Sequence, residues 1–164
     1  MRPGFTPQDP DFESRVRDTL DAQTMMATAG VEIAGLGPGW IELEVPHRAE
    51  FTQQHGYMHA GLIAAVMDSA CGGAAFTLMP ANSQVLTVEY KINLLRPAKA
   101  ERYFISGHVV KAGRTLTVCQ ATTRDDERRE IAVMTGTLIA VSSPTPARED
   151  GIPERGLFRP DEGR

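Results

Sequence analysis

The sequence predicts an α+β domain in which one long apolar helix covers an antiparallel sheet. Three observations lead there. Residues 61–78, GLIAAVMDSACGGAAFTL, are apolar on every side except for one acid, Asp68, and a helix of that kind belongs in an interior. Residues 84–95, 102–111, 115–124 and 129–141 are strand-like runs, rich in the β-branched and aliphatic side chains that suit a pleated, half-buried surface. Finally, 164 residues with 41% hydrophobic and 23% charged content match one ordinary core, not two.

The elements follow in chain order. Residues 1–10 carry three prolines and form an irregular arm. Asp11 is placed to cap a helix in which Phe12, Val16 and Leu20 recur every fourth residue as one apolar stripe. GLGPGW, from Gly35 to Trp40, is a turn between two short strands, Val31 to Ala34 and Trp40 to Pro46; the second alternates Ile41, Leu43 and Val45 with Glu42 and Glu44. KAGRT forms a hairpin turn and RDDERRE a solvated hairpin tip, so the four later runs read as a meander. Residues 142–164 are dominated by proline, glycine and charge, the composition of a disordered tail. The domain proper is therefore expected over 11–141.

Composition excludes several functions. A net charge of −4 without a basic stripe speaks against nucleic acid. Cys71 and Cys119 both lie in apolar stretches, which suits a reducing compartment. No apolar signal core or bilayer-length run is visible, so a cytoplasmic protein without a membrane partner is expected. His47, His55, His59 and His108 have no acid or cysteine at metal spacing, and no metal is expected.

Asp68 is the anomaly. At about 100° per residue, its own face of the helix carries Gly61, Ala64, Ala65, Cys71, Gly72 and Ala75, whereas Leu62, Ile63, Val66 and Met67 face the other way. The helix is expected to be buried all round, with a trench of small residues around the acid. Burying a carboxylate costs several kcal/mol unless it is paired or hydrogen-bonded, and no Lys or Arg lies within a turn. Asp68 is either a structural acid satisfied by nearby donors or a working group, and a small-residue trench favours the second. The helix start, HGYMHAG, adds the N–H groups of His59, Ala60 and Gly61, which lack intrahelical partners. Such an end binds an anion or a developing oxyanion, and Gly56 and Gly61 permit a close approach. Donors at a helix start, with an acid two turns in, suggest acyl transfer.

The stretch Gln53, Gly56, His59, Ala60, Gly61, Asp68 resembles the N-x-x-G-x-x-H-G-G…D motif of hotdog-fold acyl-CoA thioesterases of the phenylacetate-pathway (PaaI) type. TVEYKINLLRPA (Thr87 to Ala98) and VVKAGRT (Val109 to Thr115) resemble that family's next strand and hairpin, so the likeness covers about residues 12–141. There are two departures. Gln53, with Gln54 beside it, stands for the family asparagine, and Ala60 stands for a glycine. Glutamine still donates an amide N–H, and Ala60 keeps its backbone N–H.

The resemblance implies a hotdog fold, with five or six antiparallel strands wrapped around one central helix. It also implies hydrolysis of an aryl- or medium-chain acyl-CoA. Asp68 would be general base or nucleophile, the Ala60 N–H would polarise the carbonyl, and Gln53 would hold substrate or water. His59 would shape the site, and Thr87 would orient Asp68 or the water. A homo-oligomer is implied, dimer or dimer of dimers, with Gln53, His59 and Ala60 of one chain facing Asp68 and Thr87 of the other. No metal or bound cofactor is implied, coenzyme A being part of the substrate. Arg96 and Arg114 flank turns where CoA phosphates would be met, unless they are plain surface residues. Cys71 reads as a small buried residue, not a thiol nucleophile. The alternatives are a non-catalytic acyl-CoA binding module and a hotdog hydratase or dehydratase, whose D-x-N…H signature is absent.

Overall fold

Period-two alternation organises the sheet. In the strand Trp40–Pro46, Ile41, Leu43 and Val45 are buried and the glutamates between them are half-exposed. The computed structural model describes residues 4–142. In order these form α1 (Phe12–Asp21), α2 (Thr24–Ala29), β1 (Glu32–Gly37), β2 (Trp40–Pro46), α3 (Ala60–Phe76), β3 (Ser83–Leu94), β4 (Arg102–Ala112), β5 (Leu116–Asp125) and β6 (Glu130–Ser142). The expected tail, apart from Ser142, lies outside the described residues.

All six strands join one antiparallel sheet in the order β1-β2-β4-β5-β6-β3. This corrects the expected four-strand meander, because only β4, β5 and β6 form one. β3 leaves the C-terminal end of α3 and lands on the far margin beside β6. Residues 95–101 then cross to β4. That crossing is stitched to the lead-in of α3: the Ala98 carbonyl accepts from Met58 N–H at 3.0 Å and the Glu101 carbonyl from His47 N–H at 2.7 Å.

α3 packs chiefly over β4 and β5. Gly107 on β4 permits the approach, since a Cβ there would stand 2.5 Å from the Ala70 carbonyl oxygen. Leu62, Ile63, Val66, Met67, Ala70, Cys71, Ala74 and Ala75 are buried against the sheet. The helix is not buried all round, however. Ala64, Ala65, Asp68, Ser69, Gly72 and Gly73 form a half-exposed stripe, because one sheet covers only one side of a helix. Cys71 and Ala75, expected on the stripe of Asp68, turn to the sheet instead.

The arm is irregular but pinned. Phe5 lies against Gly39, Gln8 Nε2 donates to the Leu78 carbonyl at 3.0 Å, and buried Asp9 pairs with Arg15 at 3.0 Å. Asp11 sits at the N-cap of α1 without a side-chain cap bond; Asp9 instead accepts from the Asp11 N–H. The Arg15 guanidinium donates to the carbonyls of Phe76, Met79 and Pro80, satisfying the C-terminal end of α3, where a cation is electrostatically favoured. Arg15→Ala leaves the buried Asp9 carboxylate without its ion-pair partner and takes a charged donor from three carbonyls, of which Phe76 keeps the Met79 N–H and Pro80 the N–H and hydroxyl of Ser83. It should lower stability by about 3 kcal/mol or more, read as a shift in urea midpoint with unchanged slope.

Two further features escaped the sequence reading. α2 is a six-residue helix with buried Met26 and Ala29, closed by Gly30 at φ 75°, and it is too short for a periodic signal. The RDDERRE tip is less solvated than expected. Asp125 is buried and accepts from the N–H groups of Glu127 and Arg129 and from Arg129 Nε. No helix among the described residues is long and apolar enough to cross a membrane.

Candidate active site

The start of α3 is built by its capping chemistry. His59 is the N-cap in extended backbone, and its Nδ1 accepts from the Gly61 N–H at 2.9 Å. A neutral ring used this way carries its proton on Nε2. A side chain at Gly61 would collide with that ring, its Cβ lying 2.9 Å from Nδ1. The His59 carbonyl takes the N–H groups of Leu62 and Ile63. The Ala60 N–H is left without a partner among the described residues, so of the first-turn donors it is the one free to polarise a carbonyl.

The lead-in loop presents this end. Gln53 donates its N–H to the Tyr57 carbonyl and accepts from the Gly56 N–H, while its Oε1 accepts from the His55 N–H. Gly56, at φ 79°, makes the turn and lies at an exposed tip. A hollow of about 400 Å³ opens here, lined by Gln53, Tyr57, Ala60, Leu94, Arg96 and Ala98. Arg96 is fixed by a 2.7 Å bond to the Glu130 carbonyl, and Lys99 Nζ stands over the Tyr57 ring at 4.6 Å. Tyr57 and Lys99 were missed by sequence reasoning; Tyr57 lies in the lead-in itself, and the 95–101 crossing brings Lys99 over its ring. Arg114 stays on the exposed β4–β5 hairpin, outside this hollow.

Asp68 lies two turns further along α3. Its Oδ1 accepts from Thr87 Oγ1 at 2.8 Å. No ion pair and no second side-chain hydrogen bond reaches the carboxylate among the described residues. Thr87 immediately precedes a register shift in β3, where Val88 is the extra residue, and such bulges re-aim side chains. Asp68 and Thr87 share a cavity of about 330 Å³ with Leu20, Ser69, Gly72 and Phe76. Gly72 was expected beside Asp68 from helical spacing, whereas Ser69 and the α1 wall gave no linear signal of a role here. Eight helical residues separate Ala60 from Asp68, a rise of about 12 Å, so one chain does not bring them to one carbonyl.

A hollow larger than either of these, about 490 Å³, lies elsewhere, lined by Phe5, Trp40, His108, Val110 and Gln120. It holds no carboxylate to activate water, so volume does not choose the site. Cys71 is also set aside. Burial raises its thiol well above the ordinary range, with Cys119 and Asp68 adding to the effect, and burial pushes Cys119 up to about 12. Neither is a thiolate near neutrality. Ellman's reagent should label neither cysteine in the native protein and both after unfolding.

Comparison with known proteins gives the family. The thioesterase superfamily profile matches residues 55–132. A thioesterase family protein from Silicibacter pomeroyi is 50% identical, with a TM-score of 0.78, covering 80% of this chain and 99% of that one. A candidate esterase from Saccharolobus solfataricus is 36% identical over 95 residues, 58% of this chain and 67% of the relative. This chain belongs to the thioesterase superfamily. The E. coli PaaI protein from the phenylacetic acid degradation operon shares the fold at 14% identity, with a TM-score of 0.76 over 83% of this chain and 97% of that one. The thioesterase thus has the hotdog architecture expected from its motif, six antiparallel strands around one long helix.

Proposed function

We propose that this thioesterase hydrolyses an acyl-CoA of aryl or medium-chain type at a site completed by a second copy of the chain. The observation that carries the reading is the state of Asp68. It is half-exposed and held by one hydroxyl, and no cation pairs with it among the described residues. A carboxylate that merely filled the core would be paired or saturated with donors. Thr87 holds Oδ1, which leaves Oδ2 without a side-chain partner among the described residues and available for the chemistry, on a residue that lines the cavity. As general base, Asp68 takes a proton from water as the water oxygen attacks the thioester carbon. As nucleophile, it forms an anhydride that water then opens. On either route the carbonyl oxygen becomes an oxyanion, which the Ala60 N–H receives. Collapse breaks the C–S bond. On the base route the acid forms and the CoA sulfur takes back the proton held by Asp68. On the nucleophile route CoA leaves first, protonated from water, and hydrolysis of the anhydride then frees the acid and Asp68.

A second copy supplies what the helix separates. β3 is a sheet margin whose outer backbone groups face away from β6, and Leu86, Val88, Tyr90 and Leu94 on it are 45–55% exposed. An unprotected apolar edge of this kind invites another strand. Two-fold antiparallel pairing centred on Tyr90 sets Leu94 beside the partner's Leu86. The Ala60 hollow of one chain then meets the Asp68 cavity of the other. Gln53 and the basic mouth at Arg96 and Lys99 would receive the CoA portion.

Two measurements test this. Free thiol should appear over many turnovers with benzoyl-, phenylacetyl- or hexanoyl-CoA, and no release from any of them would overturn the reading. Val88→Asp combined with Tyr90→Asp should give a folded monomer by light scattering, with turnover reduced at least about a hundredfold. A fully active monomer would remove the shared site.

A further inference from the structure

We propose that Gly72 and Phe76 set the length of the acyl group, through a slot that runs along α3 from Asp68. The inference rests on the reading of Asp68 as the group beside the scissile carbonyl. Asp68, Gly72 and Phe76 are spaced by four, so each lies one turn beyond the last on nearly the same face, and all three line the same cavity of about 330 Å³.

Gly72 is the informative member. Glycine is unfavourable inside a helix, so packing normally has to demand it. At the neighbouring Gly73 packing does, since a Cβ would stand 3.0 Å from Ile41 Cδ1. At Gly72 it does not: a Cβ would meet only Leu138 Cδ2, at 3.9 Å. The omitted side chain therefore makes no room for protein. It leaves the cavity open directly below the catalytic carboxylate.

The walls are apolar, with Val16 and Leu20 of α1 on one side and Val85 of β3 on the other. Thr19 and Gln23 lie toward the open side, where Gln23 Oε1 accepts from Ser69 Oγ at 3.2 Å. The far end is closed by Phe76, which is buried and carries the Arg15 guanidinium 4.1 Å from its ring centroid. Arg15 is itself anchored to Asp9 and to the last carbonyls around α3, so the stop cannot swing aside cheaply. From Asp68 to Phe76 the helix rises about 12 Å. An extended chain advances roughly 1.2 Å per bond, which gives room for an acyl group of roughly eight to ten carbons.

The test is a kcat/KM series from butyryl- through hexanoyl-, octanoyl- and decanoyl- to palmitoyl-CoA on the full-length protein. The wild type should peak at octanoyl or decanoyl and fall at palmitoyl. Gly72→Leu should fill the slot and lower the octanoyl-to-butyryl ratio at least about tenfold. Gly72→Ala, favoured in a helix, should give a smaller shift in the same direction and secures the experiment should the leucine variant misfold. Phe76→Ala should extend acceptance toward palmitoyl. An unchanged ratio in folded Gly72→Leu or Gly72→Ala, or a wild type that takes palmitoyl as readily as octanoyl, would overturn the slot. Asp68→Asn run alongside separates the two ideas. If that variant keeps its turnover, the reading of Asp68 fails; if it is inactive while the Gly72 variants keep the wild-type profile, only the slot fails.

Discussion

Asp68→Asn is expected to lower kcat for acyl-CoA hydrolysis by about 10²–10⁴ while the protein melts within about 2 °C of wild type. The two halves of this result come from different features of the site. Asparagine has the same shape, and its Oδ1 still accepts from Thr87, which is the one bond the carboxylate makes to a side chain among the described residues. The fold therefore loses little. What disappears is the second carboxylate oxygen, which on the proposed mechanism takes the proton or attacks the carbon. KM should change little, because most binding energy lies along the acyl and pantetheine parts, away from this small group. A purely structural acid predicts the opposite pattern, with a lower melting temperature and unchanged specific activity of the folded fraction. Thermal melts and thiol release on one preparation distinguish the two, and a well-folded, fully active variant would end the catalytic assignment.

Ala60→Pro should cost about 10²–10³ in kcat, with Ala60→Gly close to wild type. Proline at this position is an unusually clean probe. Ala60 is the first helical residue, where proline is well tolerated because no intrahelical bond is lost. His59 already has φ −64° and ψ 135°, the extended conformation that a following proline requires. The substitution therefore removes one N–H and little else, while glycine keeps it. Mixing the two inactive proteins extends the test to the shared site. In an Asp68→Asn/Ala60→Pro heterodimer, one site carries both lesions and the other carries neither. Subunit exchange should then restore about a quarter of wild-type turnover for a two-fold dimer. If both substitutions acted on one chain's own site, mixing would restore nothing.

Much of this protein was legible in its residues. The alternation in Ile41, Leu43 and Val45 fixed a strand and its buried side, because a period of two leaves no other arrangement. The apolar run after His59 announced the central helix, observed at Ala60–Phe76. Spacing alone set Asp68 two turns beyond the helix start, which is a property of any α-helix. Strand order was not legible. The four late runs looked like a meander, and nothing local says that β3 goes to the far margin beside β6. That choice is made by where α3 delivers the chain, and by β2 and β5 filling the positions beside β4. It decides the rest of the site. It sets Thr87 against Asp68, brings Arg96 into the Ala60 hollow and Lys99 over the Tyr57 ring, and leaves an apolar edge exposed. The small face around Asp68 was legible, with Leu62, Ile63, Val66 and Met67 on the other side, but its half-exposure and the turn of Cys71 and Ala75 to the sheet were not, because local pattern does not say how much of a helix one sheet will cover. The residues thus determined the elements and the chemistry each one carries; the tertiary structure decided which of those chemistries meet, since contacts between distant segments depend on topology, not on local pattern.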